Sequence, residues 1–217
     1  MSQSYFIIGT DTNVGKTYIA HALVKKFVGL GFKTIGMKPV ASGCQYNENQ
    51  ELINEDVAAL MHVSNVNSSL DTINPYRFIP AIAPHIAAEQ AAVNISLEVI
   101  AEAYQKLSSV AQVVIVEGAG GLLVPLNGTQ TLADLVELLN IPIILVVGMR
   151  LGCINHALLT IELIKARGLN LAGWVANEID PNMDMFEDNL TSLHNRISAP
   201  CLAVVRWQGQ ANFTLAS

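Results

Sequence analysis

The chain has 217 residues, of which 51% are hydrophobic and 14% charged, enough to bury a substantial core within one domain, residues 1–217. A formal net charge of -6 without a basic stripe argues against a nucleic-acid partner and against an anionic membrane surface. Cys44, Cys153 and Cys201 match no metal-site spacing or disulfide framework, and the first residues lack the pattern of a signal peptide, so a cytosolic protein is expected.

In chain order, residues 5–8 form a short apolar strand ending at Gly9. Residues 16–29 have helical spacing, with Ile19, Ala22, Leu23 and Phe27 on one face, and Gly29 and Gly31 stop the helix. Residues 34–38 read as a second strand that Pro39 ends. Residues 42–54 are polar and turn-rich, a surface loop, before a short helix at 55–61 capped by Asn54. Residues 65–84, with Pro75, Pro80 and Pro84, are irregular and expected near a site or an interface. Residues 96–107 make an amphipathic helix opened by Ser96 and buried through Leu97, Ile100, Ala103, Tyr104 and Leu107. Val113, Val114, Ile115 and Val116 give the pattern of a parallel strand covered on both faces. A helix at 132–139, a strand at 143–147, a helix at 154–167, a strand at 172–176, a helix at 183–197 and a strand at 202–205 follow. The longest apolar run, 141–149, contains Pro142 and is too short to span a bilayer. The alternation predicts an α/β fold: a doubly wound, mainly parallel sheet with helices on both faces, and the GxxxxxGKT run at 9–17 makes it P-loop NTPase-like.

The first strand runs into Gly9-Thr10-Asp11-Thr12-Asn13-Val14-Gly15-Lys16-Thr17, a GxxxxxGKT phosphate loop with one residue more between its glycines than the usual spacing. Gly15 lets the backbone turn around a phosphate, and the N–H groups of residues 14–17 are expected to face it from the helix start. Lys16 can reach the outer phosphates and the Thr17 hydroxyl can join magnesium. The ligands implied are a nucleoside triphosphate and Mg2+.

Polar groups at the other strand ends must choose the chemistry. Lys38 ends the second strand, where a doubly wound sheet faces its ligand crevice, and a second lysine there could neutralise a transferred phosphoryl group. The plain alternative is a solvated strand end. Ser42 could donate to a phosphate or substrate, or be a loop residue. Asp56 and Glu117 could hold magnesium, Glu117 the more compellingly because a charge ending so buried a strand is costly without a partner. Residues 118–121 permit close backbone approach. Residues 148–156 follow a strand and open a helix, a second anion site that suits a carboxylate as well as a phosphate. Cys153 reads as a neutral thiol rather than a nucleophile, and His156 and His21 as packing residues. Asn177 ends a strand where base recognition is common, and Trp174 belongs to the core or an interface.

The ordered set GTDTNVGKT (9–17), MKPVASG (37–43), NPY (74–76), APH (83–85), VEGAGG (116–121), LADLV (132–136), VVGMRLGCINHALLT (146–160) and LAGWVAN (171–177) resembles the dethiobiotin synthetase family over about residues 3–205. The resemblance implies ATP- and Mg2+-dependent carboxylation and ring closure of 7,8-diaminononanoate to dethiobiotin in biotin synthesis. The implied route passes through a carbamate and a carbamic-phosphoric anhydride, in a homodimer. Carried over by position, Lys16, Lys38, Thr12 and Ser42 are the catalytic group, and Thr17, Asp56 and Glu117 hold the metal. Nucleotide contacts fall to Asn13, Val14, Gly15, Lys16, Thr17 and Tyr18, to Asp56, Glu117, Gly118, Ala119 and Gly120, and to Asn177, Glu178, Val205, Arg206 and Trp207. Residues 152–156 would receive the substrate carboxylate across the dimer interface.

Two departures stand out. Many members carry Glu where this chain has Asn13, which implies retained activity with altered affinity. The stretch 203–207, Ala-Val-Val-Arg-Trp, replaces a Gly-Glu-Ile-Pro-Trp type run, which implies a loosened adenine pocket. The rivals are another amide- or urea-forming ligase of the same fold, such as a cobyrinic-acid amidase relative, and a partitioning or switch-type ATPase.

Overall fold

The computed structural model of the protein describes residues 3–214. In chain order the elements are β1 (Gln3–Gly9), α1 (Lys16–Gly29), β2 (Thr34–Met37), β3 (Val40–Ser42), β4 (Gln45–Tyr46), β5 (Leu52–Ile53), α2 (Glu55–Val63), α3 (Leu70–Ile73) and β6 (Tyr76–Phe78). They continue as α4 (Pro84–Gln90), α5 (Leu97–Val110), β7 (Val113–Glu117), α6 (Leu132–Leu139), β8 (Ile143–Met149), α7 (Cys153–Ala166), β9 (Leu171–Glu178), α8 (Phe186–His194) and β10 (Cys201–Val205).

Six strands form one parallel sheet in the order β10-β9-β8-β1-β7-β2. Side chains alternate between its faces. Phe6, Ile8, Val114 and Val116 enter one core with residues of α5, α6, α7 and α8. Ile7, Val113 and Ile115 enter a second core with α1, Leu60 of α2 and Phe213. Apolar residues at both parities are what a sheet sandwiched between helices requires, which is why these strands read as continuous apolar runs.

Helix starts follow their capping residues. Asn54 accepts a hydrogen bond from Asp56 N and Ser96 accepts one from Val99 N, both as the sequence predicts. Thr131 and Asp134 form a reciprocal capping box that starts α6.

The structure departs from the sequence reading in five places. Ala20 and Val24, rather than Ala22, complete the buried face of α1. Residues 42–54 contain the β4–β5 hairpin rather than only loop. The stretch 65–84 holds α3 and β6, and β6 pairs in parallel with β3, a contact between distant segments that local periodicity does not reveal. Finally, α4 starts at Pro84, and the last helix is shorter than 183–197.

β1 lies between β7 and β8, so the connections from β1 to β2 and from β7 to β8 leave on opposite sides. The carboxyl ends of β1 and β7 therefore border the crevice where doubly wound sheets bind ligands. Register aligns the groups there: Ile7 is level with Glu117, and Met37 with Val116, which sets Lys38 beside Glu117.

Candidate active site

The phosphate loop leaves β1 at Gly9 and enters α1 through Gly15, whose φ of 89° is left-handed; a side chain there would also collide with Asn177. No side chain caps α1 and its first turn contains no acidic residue, so its first N–H groups are left for an anion. Asn13 has a φ of 59°, a conformation that asparagine tolerates better than glutamate, which gives a backbone reason for Asn13 in this chain.

A cavity of about 760 Å³ opens over this loop. It brings together Thr12, Asn13, Gly15, Lys16, Thr17, Lys38, Ser42, Asp56, Glu117, Gly118, Ala119 and Gly120, residues that sequence reasoning singled out from four separate segments. Val40, Ala81, Ile82, Ala83, Pro84 and Val124 complete the lining and were not singled out one by one. Pro80 and Pro84 flagged their segment as close to a site, but the short α4 was missed, although a proline at its first position is a common helix start.

Lys38 is the centre of the polar network. The residue is only 7% exposed, and its ammonium donates to Asp56 Oδ2 at 2.5 Å and to Glu117 Oε1 at 2.7 Å. Burial works against its charge, but Glu117 and then Asp56 outweigh that cost and hold its pKa above the ordinary lysine value. Its backbone is pinned by a residue that the sequence offered only inside a motif. Fully buried Asn74 donates through its amide to the Lys38 carbonyl at 2.5 Å and to the Tyr76 carbonyl at 3.1 Å.

Lys16 points toward the same space and donates to the Asp11 carbonyl at 2.9 Å. Burial lowers its pKa to about 8, against the upward pull of Glu117 and with repulsion from Lys38. Two ammonium groups this close favour a polyanion between them.

Glu117, at 1% exposure, accepts from Thr17 Oγ1 and Lys38 Nζ through one oxygen, each at 2.7 Å. Its other oxygen, Oε2, is buried without a partner. An orphaned carboxylate oxygen beside a threonine hydroxyl and a second carboxylate, Asp56, is an all-oxygen donor set that suits Mg2+. The buried Ser42 hydroxyl is likewise without a partner and lines the cavity, free to bond a ligand.

The remaining expected contacts lie elsewhere. The Val14 side chain is buried in the core, and its carbonyl accepts from Asn177 Nδ2 at 2.8 Å. Val205 is also a core residue, which leaves its side chain unavailable to a nucleotide. The Tyr18 hydroxyl donates to the Gly209 carbonyl at 2.8 Å. Arg206 pairs with Glu178 and Glu187 and stacks over Phe186, and Trp207 N donates to Glu178 Oε2 at 2.9 Å. These residues form a cluster outside the cavity lining, at the ends of β9 and β10. Cys153 is a buried thiol pushed up in pKa by burial, as its structural reading requires. Trp174 is a core residue against His194.

A parallel sheet whose first strand passes through a glycine-bounded loop into a helix, with two lysines and two carboxylates at its carboxyl edge, defines a nucleotide-binding enzyme of the P-loop class. The AAA domain family model matches residues 3–213. The ATP-dependent dethiobiotin synthetase BioD of Nitrosospira multiformis is 48% identical over 94% of this chain and 88% of its own length. Those of Aromatoleum aromaticum and Cellvibrio japonicus are 50% and 47% identical, covering 94% and 99% of this chain and 90% and 94% of theirs. The chain belongs to the ATP-dependent dethiobiotin synthetase family. Among solved structures, the septum site-determining protein MinD of Pyrococcus horikoshii, complexed with Mg-ADP, matches 95% of this chain and 82% of its own at 16% identity and TM-score 0.59. The signal recognition particle receptor FtsY of Elizabethkingia anophelis matches 100% and 63% at 14% identity and TM-score 0.56. These two share the fold alone.

Proposed function

We propose that this chain makes dethiobiotin from 7,8-diaminononanoate, CO2 and ATP, and that the cavity around Lys16, Lys38 and Glu117 carries the reaction. One amine takes up CO2 as a carbamate and releases a proton. A carbamate oxygen attacks the γ-phosphorus of ATP, the bond to the bridging oxygen breaks, and ADP leaves. The second amine then attacks the carbonyl carbon and loses a proton, and phosphate departs, closing the cyclic urea. Phosphorylation thus replaces a poor leaving group by phosphate.

The observation that carries this reading is the convergence of two buried lysines on one cavity: Lys16 from the phosphate loop and Lys38 from the end of β2. In these roles Lys16 holds the outer phosphates and Lys38 neutralises charge growing between carbamate and γ-phosphate. Thr12 and Ser42 orient the diamine and phosphates. Thr17, Asp56 and Glu117 would hold Mg2+, which when bound neutralises the triphosphate. Gly118, Ala119 and Gly120 give backbone close to the reacting groups.

The chain works as one catalytic domain and as a homodimer in the cytosol. Support for the dimer is Leu151, 93% exposed beside the uncapped start of α7, the segment expected to take the substrate carboxylate of the other subunit. Among the described residues no helix is long and apolar enough to cross a membrane.

The test is phosphate release with and without 7,8-diaminononanoate and bicarbonate, with mass detection of the urea and removal and return of Mg2+. Release that requires the diamine supports the proposal. Equal hydrolysis without it favours the switch-type ATPase instead. Light scattering of the purified protein reads the dimer.

A further inference from the structure

Besides the Thr10 N bond to the Val146 carbonyl and the Thr17–Glu117 bond, the phosphate loop, one residue longer than usual, is tied to neighbouring segments at three points. Gly148 N donates to Thr10 Oγ1 at 3.3 Å, Arg150 Nη2 to Asp11 Oδ2 at 2.5 Å, and Asn177 Nδ2 to the Val14 carbonyl at 2.8 Å. Two of these ties are neutral. The third is an ion pair, and it has no part in the reaction as proposed above.

Asp11 sets the loop's shape. Its Oδ1 accepts from Thr12 N at 2.7 Å, and its backbone carbonyl accepts from Lys16 Nζ at 2.9 Å. This puts a carboxylate within the loop that must receive a triphosphate, and an unscreened negative charge there opposes the ligand. Arg150, from the turn between β8 and α7, takes the oxygen that Thr12 does not use. The side chains of the pair are 42% and 46% exposed, and so open an ion pair contributes little to folding. Its consequence is the field that it cancels.

We propose that Arg150 masks the carboxylate of Asp11, so that the lengthened loop keeps an acidic, shape-setting residue without repelling the triphosphate. Arg150 is a positioning residue: it acts on the nucleotide through Asp11. The inference rests on the reading that this loop binds ATP, and not on the identity of the second substrate.

The experiment is calorimetric titration of Mg-ATP, without diamine, into the wild-type protein and into R150A, R150K, D11N and D11N/R150A. The asparagine keeps an acceptor for Thr12 N and loses only the charge. R150A is expected to weaken ATP binding about tenfold, with R150K within about threefold of wild type. Removing the exposed charge should undo the damage, so D11N/R150A binds more tightly than R150A. Two results overturn the proposal: R150A binding like wild type, or D11N/R150A binding no better than R150A, which is what a purely structural brace gives. Thermal melts check that each variant folds. Should R150A fail to fold, D11N decides alone, since the freed Arg150 charge must leave ATP binding at least as tight as in wild type, and weaker binding overturns the idea. A wild-type protein that binds ATP but makes no dethiobiotin sinks the proposed function and leaves this inference standing.

Discussion

Thr17 and Glu117 stand 100 positions apart in the chain, yet the Thr17 hydroxyl donates to Glu117 Oε1 at 2.7 Å. The bond joins the start of the phosphate-loop helix to the end of β7, the strand between β1 and β2. Lys38 donates to the same oxygen from the neighbouring strand β2. Three segments therefore meet on one buried carboxylate, and the strand register puts them there.

Glu117 accordingly should be the most sensitive position in the cavity. Glu117→Gln keeps the shape and one acceptor but removes the charge that Lys38 and a metal both use. Turnover is expected to fall about 100-fold or more. Glu117→Ala also leaves the buried Lys38 with one carboxylate instead of two. Breaking a buried pair costs about 3–5 kcal/mol, a fall in melting temperature of about 6 °C or more for a chain this size. Wild-type turnover in E117Q would remove Glu117 from the site.

The two lysines are expected to separate kinetically. Lys16→Met should abolish measurable ATP binding, because Lys16 belongs to the phosphate loop itself. Lys38→Met should leave ATP binding nearly intact and lower turnover by about 1,000-fold, since its charge is needed as phosphoryl transfer proceeds. The Lys38 variant has a second signature. Without the ammonium, Asp56 and Glu117 face each other uncompensated, so Mg2+ should raise its melting temperature more than that of wild type. Equal Mg2+ shifts in both proteins would count against these carboxylates as metal ligands.

A prediction away from the cavity concerns Asp134, which bonds Thr131 N at 2.6 Å and Arg167 at 2.8 Å. The hydrogen bond from Arg167, with those from Thr131, lowers its pKa from 3.8 to about 2. The folded-state pKa is depressed, so this stabilisation is fully present above about pH 4 and is lost as pH falls through about 2. Asp134→Ala should cost about 1 kcal/mol at neutral pH through the lost cap. Its melting temperature should lie about 2–4 °C below wild type at pH 7, and the gap should close in the acid range. Turnover at 25 °C should not change. A gap that persists at pH 2 would show that the carboxylate charge is not what stabilises α6.

How much of this was legible in the sequence depends on the range of the interaction. The strand-helix alternation, the caps at Asn54 and Ser96, and the phosphate loop are local patterns, and all three appear in the structure. Lys38 and Glu117 could be assigned to the crevice because strand ends converge in a doubly wound sheet, a rule of topology. The bond from Lys38 Nζ to Glu117 Oε1 follows from a register between β2 and β7 that no local pattern specifies. Asn74 shows the limit best. In sequence it is an asparagine before a proline in an irregular stretch, and only its burial against the Lys38 carbonyl makes it a support for the site. Val205 shows the converse: its place in the aligned stretch suggests a nucleotide contact, and burial of its side chain leaves only its backbone for one.

The last prediction concerns the base. The divergent 203–207 stretch led to the expectation of a loosened adenine pocket. In the structure the segment after it is packed against α1: Gly209 accepts from Tyr18, the Phe213 carbonyl accepts from Lys26 at 2.7 Å, and the Phe213 ring is buried. Trp207 remains half exposed beside Glu178. The resemblance makes Asn177 the base contact, and its Nδ2 is already committed to the Val14 carbonyl. That uses one of the two Nδ2 hydrogens and leaves the other, with the acceptor Oδ1, for the base. Oδ1 turned to the base suits the exocyclic amino group of adenine or cytosine, where guanine carries a carbonyl. ATP and CTP should therefore support turnover within about tenfold of each other, with GTP poorer than both by about tenfold or more. Deleting residues 208–217 should raise the KM for ATP and lower the melting temperature, because it removes the Phe213 packing and both tethers to α1. GTP used as well as ATP would exclude Asn177 as the selecting group. A strong preference for ATP over CTP would instead mean that the packed tail closes the pocket around the larger base.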